Sequence, residues 1–172
     1  LQEVLPISVG TLSGYTGWIL CVCVSKEFGV IVSGSDDDSC IIWDLNRLTY
    51  LRHLVHVDAV TCAAISPTWG DIVTFCRNES KKQNVLCLWT INGELIAQRT
   101  VKSRINCLLF TGAPEGSHRN VILCGTENGS VLILDALELS TIHTLRPPIF
   151  GSSPVPGGST VGAAGNPSAS TS

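Results

Sequence analysis

The sequence predicts an all-β fold that forms part of a β-propeller, with three four-stranded blades followed by a disordered C-terminal tail. Two observations carry this prediction: short apolar runs without helical periodicity occur along the 172 residues, and these runs recur in the same order three times. At the third strand of each copy, Trp43, Trp89 and Leu134 lie 46 and 45 residues apart. Four short strands repeated at this interval are typical of propeller blades.

The predicted strands follow the chain blade by blade. Blade one, residues 14–55, contains strand candidates at 19–24, 29–33, 40–44 and 50–54. Blade two, residues 56–100, contains candidates at 60–65, 71–75, 85–89 and 94–98. Blade three, residues 101–145, contains candidates at 105–110, 120–124, 131–134 and 141–145. Turn residues such as Asn92-Gly93 and Asn128-Gly129 separate neighbouring candidates, because Asn and Gly tolerate positive φ angles.

The two ends of the chain have a different character. We interpret residues 1–13 as a lead-in that could supply the outer strand of a preceding blade. Residues 146–172 are rich in Pro, Gly and Ser and are predicted to be disordered, since they cannot bury enough apolar surface to offset the entropy of ordering. Propellers usually close with four to eight blades, so we expect further blades of the same polypeptide. Residues 1–145 alone are expected to aggregate, to oligomerise or to fold poorly.

Composition excludes several classes of function. Eleven Lys+Arg against fourteen Asp+Glu give a formal charge of −3, which provides no basic footprint for nucleic acid. The apolar runs are far shorter than the roughly 20 residues that a membrane-spanning helix needs. The expected partners are therefore proteins or peptides, and any membrane association is expected to be indirect.

The eight cysteines are predicted to be buried thiols rather than disulfides or metal ligands. Seven of them lie in strand-like apolar runs, where free cysteine behaves as a small hydrophobe: Cys21, Cys23, Cys40, Cys62, Cys87, Cys107 and Cys124. The spacing of Cys21 and Cys23 is unlike the paired ligands of zinc sites. We therefore expect no metal and no other cofactor.

The segment from Ser33 to Asp44, with the sequence SGSDDDSCIIWD, resembles the core of a WD repeat. In that family a His before the first strand, a Ser or Thr on the second, an Asp in the next turn and a Trp on the third form a hydrogen-bonded network. The resemblance assigns these structural roles to Ser33, Asp37 and Trp43 in blade one and to His56, Thr74 and Trp89 in blade two. Tyr15 stands where blade one would have the His, so we expect the first link of its network to be broken. Blade three has Asn128 and Leu134 at the Asp and Trp positions.

Three further segments, 40–48, 70–73 and 88–95, resemble the C-terminal WD repeats of BEACH-domain proteins, a family of large trafficking scaffolds. The resemblance implies a BEACH domain upstream in the same polypeptide. It also implies a cytoplasmic, non-catalytic interaction scaffold that regulates vesicle, lysosome or autophagic membrane traffic, with peripheral association to endosomal, lysosomal or autophagic membranes. The alternative is a WD-repeat adaptor outside this family, in a ubiquitin-ligase or signalling complex.

Five residues are candidates for protein binding because the repeat places them on or near the loops at one end of the blades: Tyr15, Trp18, Asp36, Asp58 and Arg104. An aromatic residue such as Trp18 on that rim is a candidate hot spot, and packing in the core is the other interpretation. Some propellers are hydrolases with carboxylates around the central channel. Here the run Asp36 to Asp38 is predicted to form one acidic turn, and His56 next to Asp58 has no recognisable nucleophile.

Overall fold

The computed structural model describes residues 8–78, 83–112 and 120–146, and these residues form twelve β-strands and no helix. Blade one consists of β1 (Ile19–Ser25), β2 (Val30–Ser35), β3 (Ser39–Asp44) and β4 (Thr49–Val55). Blade two consists of β5 (Ala59–Ile65), β6 (Ile72–Asn78), β7 (Gln83–Trp89) and β8 (Leu95–Val101). Blade three consists of β9 (Ile105–Phe110), β10 (Val121–Thr126), β11 (Val131–Asp135) and β12 (Thr141–Leu145). The predicted all-β class with three four-stranded blades is confirmed.

Each blade is an antiparallel sheet in which consecutive strands are neighbours. The first strands β1, β5 and β9 contact one another in that order, so they form the inner layer of the assembly, and β4, β8 and β12 lie outermost. Since all three sheets have the same strand order, the loops that precede each first strand lie at one end of the blades. The turns between second and third strands lie at that same end. We call it the loop face.

Two apolar layers hold the blades together. The layer between blades one and two is formed by buried residues of both sheets: Val30, Val32, Cys40, Ile42, Leu54, Val60, Ile72, Cys76, Val85, Cys87 and Trp89. The layer between blades two and three contains Cys62, Ala64, Val73, Phe75, Leu86, Leu88, Ile105, Phe110, Ile122, Cys124, Leu134, Ala136 and Leu139. Blade two therefore has both faces covered, and it contributes its central strands β6 and β7 to both layers.

The end blades each have an inner strand that is exposed. On β1 the side chains of Leu20, Val22 and Val24 are exposed, and on β9 those of Cys107 and Leu109 are exposed. All eight cysteines are free thiols and lie in strands. Five of them are buried and Cys21 and Cys23 are half-buried, but the prediction that Cys107 is buried is wrong. Its equivalents Cys21 and Cys62 are covered by the next blade, and no described blade follows blade three.

The flanking segments contain no strand within the described residues. Residues 8–13 are irregular, and the remainder of the predicted lead-in, residues 1–7, lies outside the described residues. Residue 146 is described, and the rest of the predicted tail, residues 147–172, is not. No helix in the described part of the chain is long and apolar enough to cross a membrane.

Candidate functional site

A hydrogen-bonded network fastens the loop before β1 to the body of blade one. The Trp43 indole N–H donates to Ser33 Oγ over 2.7 Å, and the Tyr15 hydroxyl lies 2.7 Å from the same oxygen. The Tyr15 hydroxyl also donates to the Ser33 carbonyl at 2.5 Å and accepts from the Ile41 backbone N–H at 3.0 Å. Burial raises the pKa of Tyr15 to about 12, so the phenol keeps its proton at neutral pH.

Tyr15 therefore closes the network that its presence was expected to break, and that expectation is wrong. The phenol hydroxyl takes the place of the histidine, and its ring packs edge-on against Trp43 with the centroids 6.2 Å apart. The sequence contains a signal for this role. Tyr15 precedes Cys21 by six residues, and His56 precedes Cys62 by the same interval.

Blade two contains the histidine form of the network. The Trp89 indole N–H donates to Thr74 Oγ1 at 3.0 Å, and Thr74 Oγ1 lies 2.9 Å from His56 Nε2. His56 Nδ1 lies 2.9 Å from the Leu54 carbonyl. Because a carbonyl can only accept, His56 carries its proton on Nδ1 and accepts the Thr74 hydroxyl proton at Nε2. Burial lowers the pKa of His56, which agrees with a neutral imidazole.

Trp18 lies on the loop face with its side chain 80% exposed, so the core-packing interpretation does not hold in the described structure. Hydrogen bonds nevertheless hold both its backbone N–H and its backbone carbonyl. The Trp18 N–H donates to Asp36 Oδ1 at 2.6 Å, and the Asp36 N–H donates to the Trp18 carbonyl at 3.1 Å. The loop thus presents an aromatic side chain from an ordered backbone.

Asp37 anchors the same loop. One carboxylate oxygen accepts from the backbone N–H groups of Thr16 and Gly17 at 2.6 and 3.1 Å. The other accepts from the Ser39 backbone N–H at 3.2 Å and from the Ser39 hydroxyl. Burial opposes the charge, but hydrogen bonds from Ser39, Thr16 and Ser35 outweigh it and hold the pKa of Asp37 well below its ordinary value.

Asp58 and Arg104 occupy corresponding loops of blades two and three. Asp58 accepts a hydrogen bond from the Asn78 side-chain amide, which joins the loop before β5 to the end of β6. The Arg104 backbone N–H donates to a Glu127 carboxylate oxygen at 3.2 Å, and the Glu127 N–H donates to the Arg104 carbonyl at 3.0 Å. All five predicted binding residues are thus at or near the loop face, and Tyr15 is turned inward into the blade-one network.

One cluster among the described residues has metal-ligand chemistry, although none was expected. The ligand atoms of His56, Cys76 and Cys87 lie within 4.8 Å of one another. Both ring nitrogens of His56 are already engaged, by the Leu54 carbonyl and by Thr74. A metal ion would have to break one of these bonds, so the geometry favours the structural role of His56.

Known proteins share both the sequence pattern and the fold of this chain. The family model of the neurobeachin β-propeller domain matches residues 4–146. The chain is 38% identical to the human lysosomal-trafficking regulator over 138 residues, which are 80% of this chain and 4% of that protein. It is 34% identical to the mouse WD repeat- and FYVE domain-containing protein 4 over 127 residues, which are 71% of this chain and again 4% of the relative.

Solved structures show the same fold at lower sequence identity. The WD40 repeats of RRP9 superpose with a TM-score of 0.64 at 22% identity, and the match covers 79% of this chain and 41% of that one. The likeness concerns the fold alone, and the chain spans a small part of the curated relatives that it matches.

Proposed function

Because this chain belongs to the neurobeachin β-propeller family, we propose that it is a non-catalytic platform that binds proteins or peptides through its loop face. The resemblance to the WD repeats of BEACH-domain proteins is confirmed by this family match and by the relatives in human and mouse. The proposed setting is a BEACH-family regulator of vesicle, lysosome or autophagic membrane traffic. The name of the human relative, a lysosomal-trafficking regulator, supports it.

The observation that carries the proposal is the exposed Trp18 on a fixed backbone. Tryptophan buries a large area on binding and has few rotatable bonds, which makes it a frequent hot spot in protein interfaces. The hydrogen bonds to Asp36 order its loop before a partner arrives, so binding loses little backbone entropy. Val57 in the corresponding loop of blade two is a second apolar side chain at this face, and it is 76% exposed.

The acidic residues of the loop face support a scaffold rather than a hydrolase. Asp37 uses both carboxylate oxygens to hold backbone and side-chain donors of its own blade, and Asp58 holds Asn78. A general acid or base must instead reach a proton of the substrate. We propose that these carboxylates shape the loops on which the partner binds.

The proposed partners are proteins or peptides, together with a BEACH domain and further blades of the same polypeptide. The proposed location is the cytoplasm, at the surface of endosomal, lysosomal or autophagic membranes that are reached through other proteins.

The test is quantitative affinity capture from cytosol with the complete propeller, that is, this chain together with the further blades of its polypeptide, and with two variants. Trp18→Ala removes the proposed hot spot. Trp69→Ala is the matched control, because Trp69 is also exposed but lies in the loop between β5 and β6, at the opposite end of the blades. Both variants should keep the urea midpoint of the wild type, since neither indole is buried.

We expect a set of trafficking proteins that the wild type and Trp69→Ala retain and that Trp18→Ala loses. Truncation of a hot-spot residue costs about 2 kcal/mol or more, which weakens binding by about thirty-fold. Equal capture by all three chains would contradict the proposed site. The family match rules out an adaptor outside this family, but specific capture of ubiquitin-ligase subunits would favour an adaptor role within it over the trafficking role.

A further inference from the structure

Two cysteine side chains meet inside blade two. In the ladder between β6 and β7, Cys87 is paired with Thr74 and Cys76 with Val85, so the two cysteines are diagonal neighbours. Both belong to the apolar layer between blades one and two, and their sulfur atoms lie within 4.8 Å of each other. Side chains at diagonal positions of an antiparallel pair are close enough to interact. We call Cys76 and Cys87 the thiol pair.

The thiol pair borders a cavity, which lies where the loop before β5 covers blade two. The cavity has a volume of about 80 Å³, and its wall includes His56, Val57 and Leu95 besides the two cysteines. Val57 and Leu95 are exposed, so the cavity reaches the surface of the protein. About 10 to 15 Å³ is enough to hold one water molecule. A small polar oxidant such as hydrogen peroxide, which is only slightly larger than water, therefore has room beside the two sulfur atoms.

The two thiols differ in acidity because one donates a hydrogen bond to the other. The bond from the Cys76 thiol to the Cys87 sulfur lowers the pKa of Cys87 and raises the pKa of Cys76. In contrast, burial raises the pKa of Cys23 and of Cys124 to about 12. The thiolate is the reactive form of cysteine. Cys87 is therefore suited to attack an oxidant, and Cys76 lies beside it as a resolving thiol.

We propose that the thiol pair is a redox site at which a peroxide converts Cys76 and Cys87 to a reversible disulfide. The Cys87 thiolate attacks one peroxide oxygen, the O–O bond breaks, and the departing hydroxide takes up the proton that the thiol had lost and leaves as water. The Cys76 thiol then attacks the sulfenic sulfur of Cys87. The S–S bond forms, the S–O bond breaks, and the Cys76 proton leaves with the hydroxyl group as a second water. Two electrons pass from the sulfur atoms to the peroxide.

The diagonal geometry makes this disulfide easy to reduce. Diagonal neighbours in a sheet lie about 7 to 8 Å apart. The Cα atoms of a relaxed disulfide are about 4.4 to 6.8 Å apart. Strand β6 must therefore shift slightly against β7 when the bond forms, and the strain favours the return to two thiols. Strained disulfides are the labile ones, which act in regulation rather than as permanent cross-links.

Thiol mapping tests the site on the complete propeller, that is, this chain together with the further blades of its polypeptide. The protein is treated with graded amounts of hydrogen peroxide, quenched in acid, alkylated in urea and digested without reductant for mass spectrometry. We expect a peptide in which Cys76 is linked to Cys87, at peroxide levels that leave Cys40 and Cys124 as free thiols, and we expect dithiothreitol to remove the link. A thiol pair that stays free until Cys40 is oxidised, or a different cysteine pair that is linked first, would overturn the proposal. Irreversible oxidation of Cys87 without the link would also overturn it.

Three variants of the same propeller separate the roles of the two cysteines, and the wild-type map does not depend on their folding. In Cys76→Ala, Cys87 should still react and should carry added oxygen, because the resolving thiol is missing. In Cys87→Ala, Cys76 should stay a free thiol, since a buried, protonated thiol is inert. Cys40→Ala is the matched control, because Cys40 is fully buried in the same apolar layer, and it should form the disulfide as the wild type does. Equal oxidation of the remaining cysteine in Cys76→Ala and Cys87→Ala would refute the assigned roles.

Discussion

Replacement of Thr74 by valine should be among the most damaging single changes outside the apolar layers. Thr74 is fully buried, and its hydroxyl oxygen is the only described partner of the Trp89 indole N–H and of His56 Nε2. Valine has a similar shape but leaves both groups without a partner. A buried polar group that loses its hydrogen bond costs about 1 to 3 kcal/mol. With some gain from the extra methyl group, we expect a loss of about 2 to 4 kcal/mol in the free energy of unfolding.

The measurement is urea unfolding followed by tryptophan fluorescence. Thr100→Val is the control, since Thr100 is exposed on β8 and should change stability by less than about 0.5 kcal/mol. In Trp89→Phe the indole donor is already missing, so adding Thr74→Val there should cost about 1 kcal/mol less than in the wild type. Equal stability of Thr74→Val and Thr100→Val would refute the network as a source of stability.

Two further changes probe the same networks. Tyr15→Phe should lower the free energy of unfolding by about 1 to 2 kcal/mol in the urea assay. The Ile41 N–H loses its acceptor in this variant, whereas the Trp43 indole keeps its hydrogen bond to Ser33. An unchanged urea midpoint would show that the Tyr15 hydroxyl is dispensable for stability. Acidification from about pH 7 to pH 5 should destabilise the chain, because burial lowers the pKa of His56 in the folded state. In the unfolded chain His56 binds a proton near its ordinary pKa of 6.5, whereas in the folded chain it stays neutral at that pH, so stability falls as the pH falls. His56→Asn should flatten that dependence of the urea midpoint on pH, and an unchanged slope would assign it to other groups.

The architecture could be predicted because four short apolar runs recur in the same order three times in the sequence. All twelve strand candidates correspond to observed strands, and the differences are confined to ends, such as β6, which extends to Asn78, and β8, which extends to Val101. The end of a strand depends on its pairing with the neighbouring strand. The Asn78–Gln83 pair, for example, lies beyond the apolar runs by which β6 and β7 were predicted. Apolar periodicity locates the buried centre of a strand, so it cannot locate the pairs that extend beyond it.

The loop face was harder to predict because its geometry depends on hydrogen bonds between loops. The three aspartates from Asp36 to Asp38 are equivalent in a linear pattern, but the structure separates their roles. Asp36 fixes Trp18, Asp37 fixes Thr16 and Gly17, and Asp38 adopts a φ of +64° that allows the turn. Trp18 is exposed because of these hydrogen bonds, and the apolar periodicity of the sequence does not predict that exposure.

The polar networks and the apolar layers between blades contribute to the structure in different ways, and the third blade shows the difference. Blade three has Leu134 in place of the tryptophan, yet its turn is still organised by Asn128, whose side chain accepts from Thr126 and Ser130 and donates to Ser103. The turn-to-loop contact is thus retained where the indole network is lost. Blade three must therefore rely on the apolar layer that it shares with blade two, since it has no Trp-centred network of its own. A contact that covers its exposed face would consequently stabilise blade three more than it stabilises blade one, whose own network already fastens its loop and its third strand together.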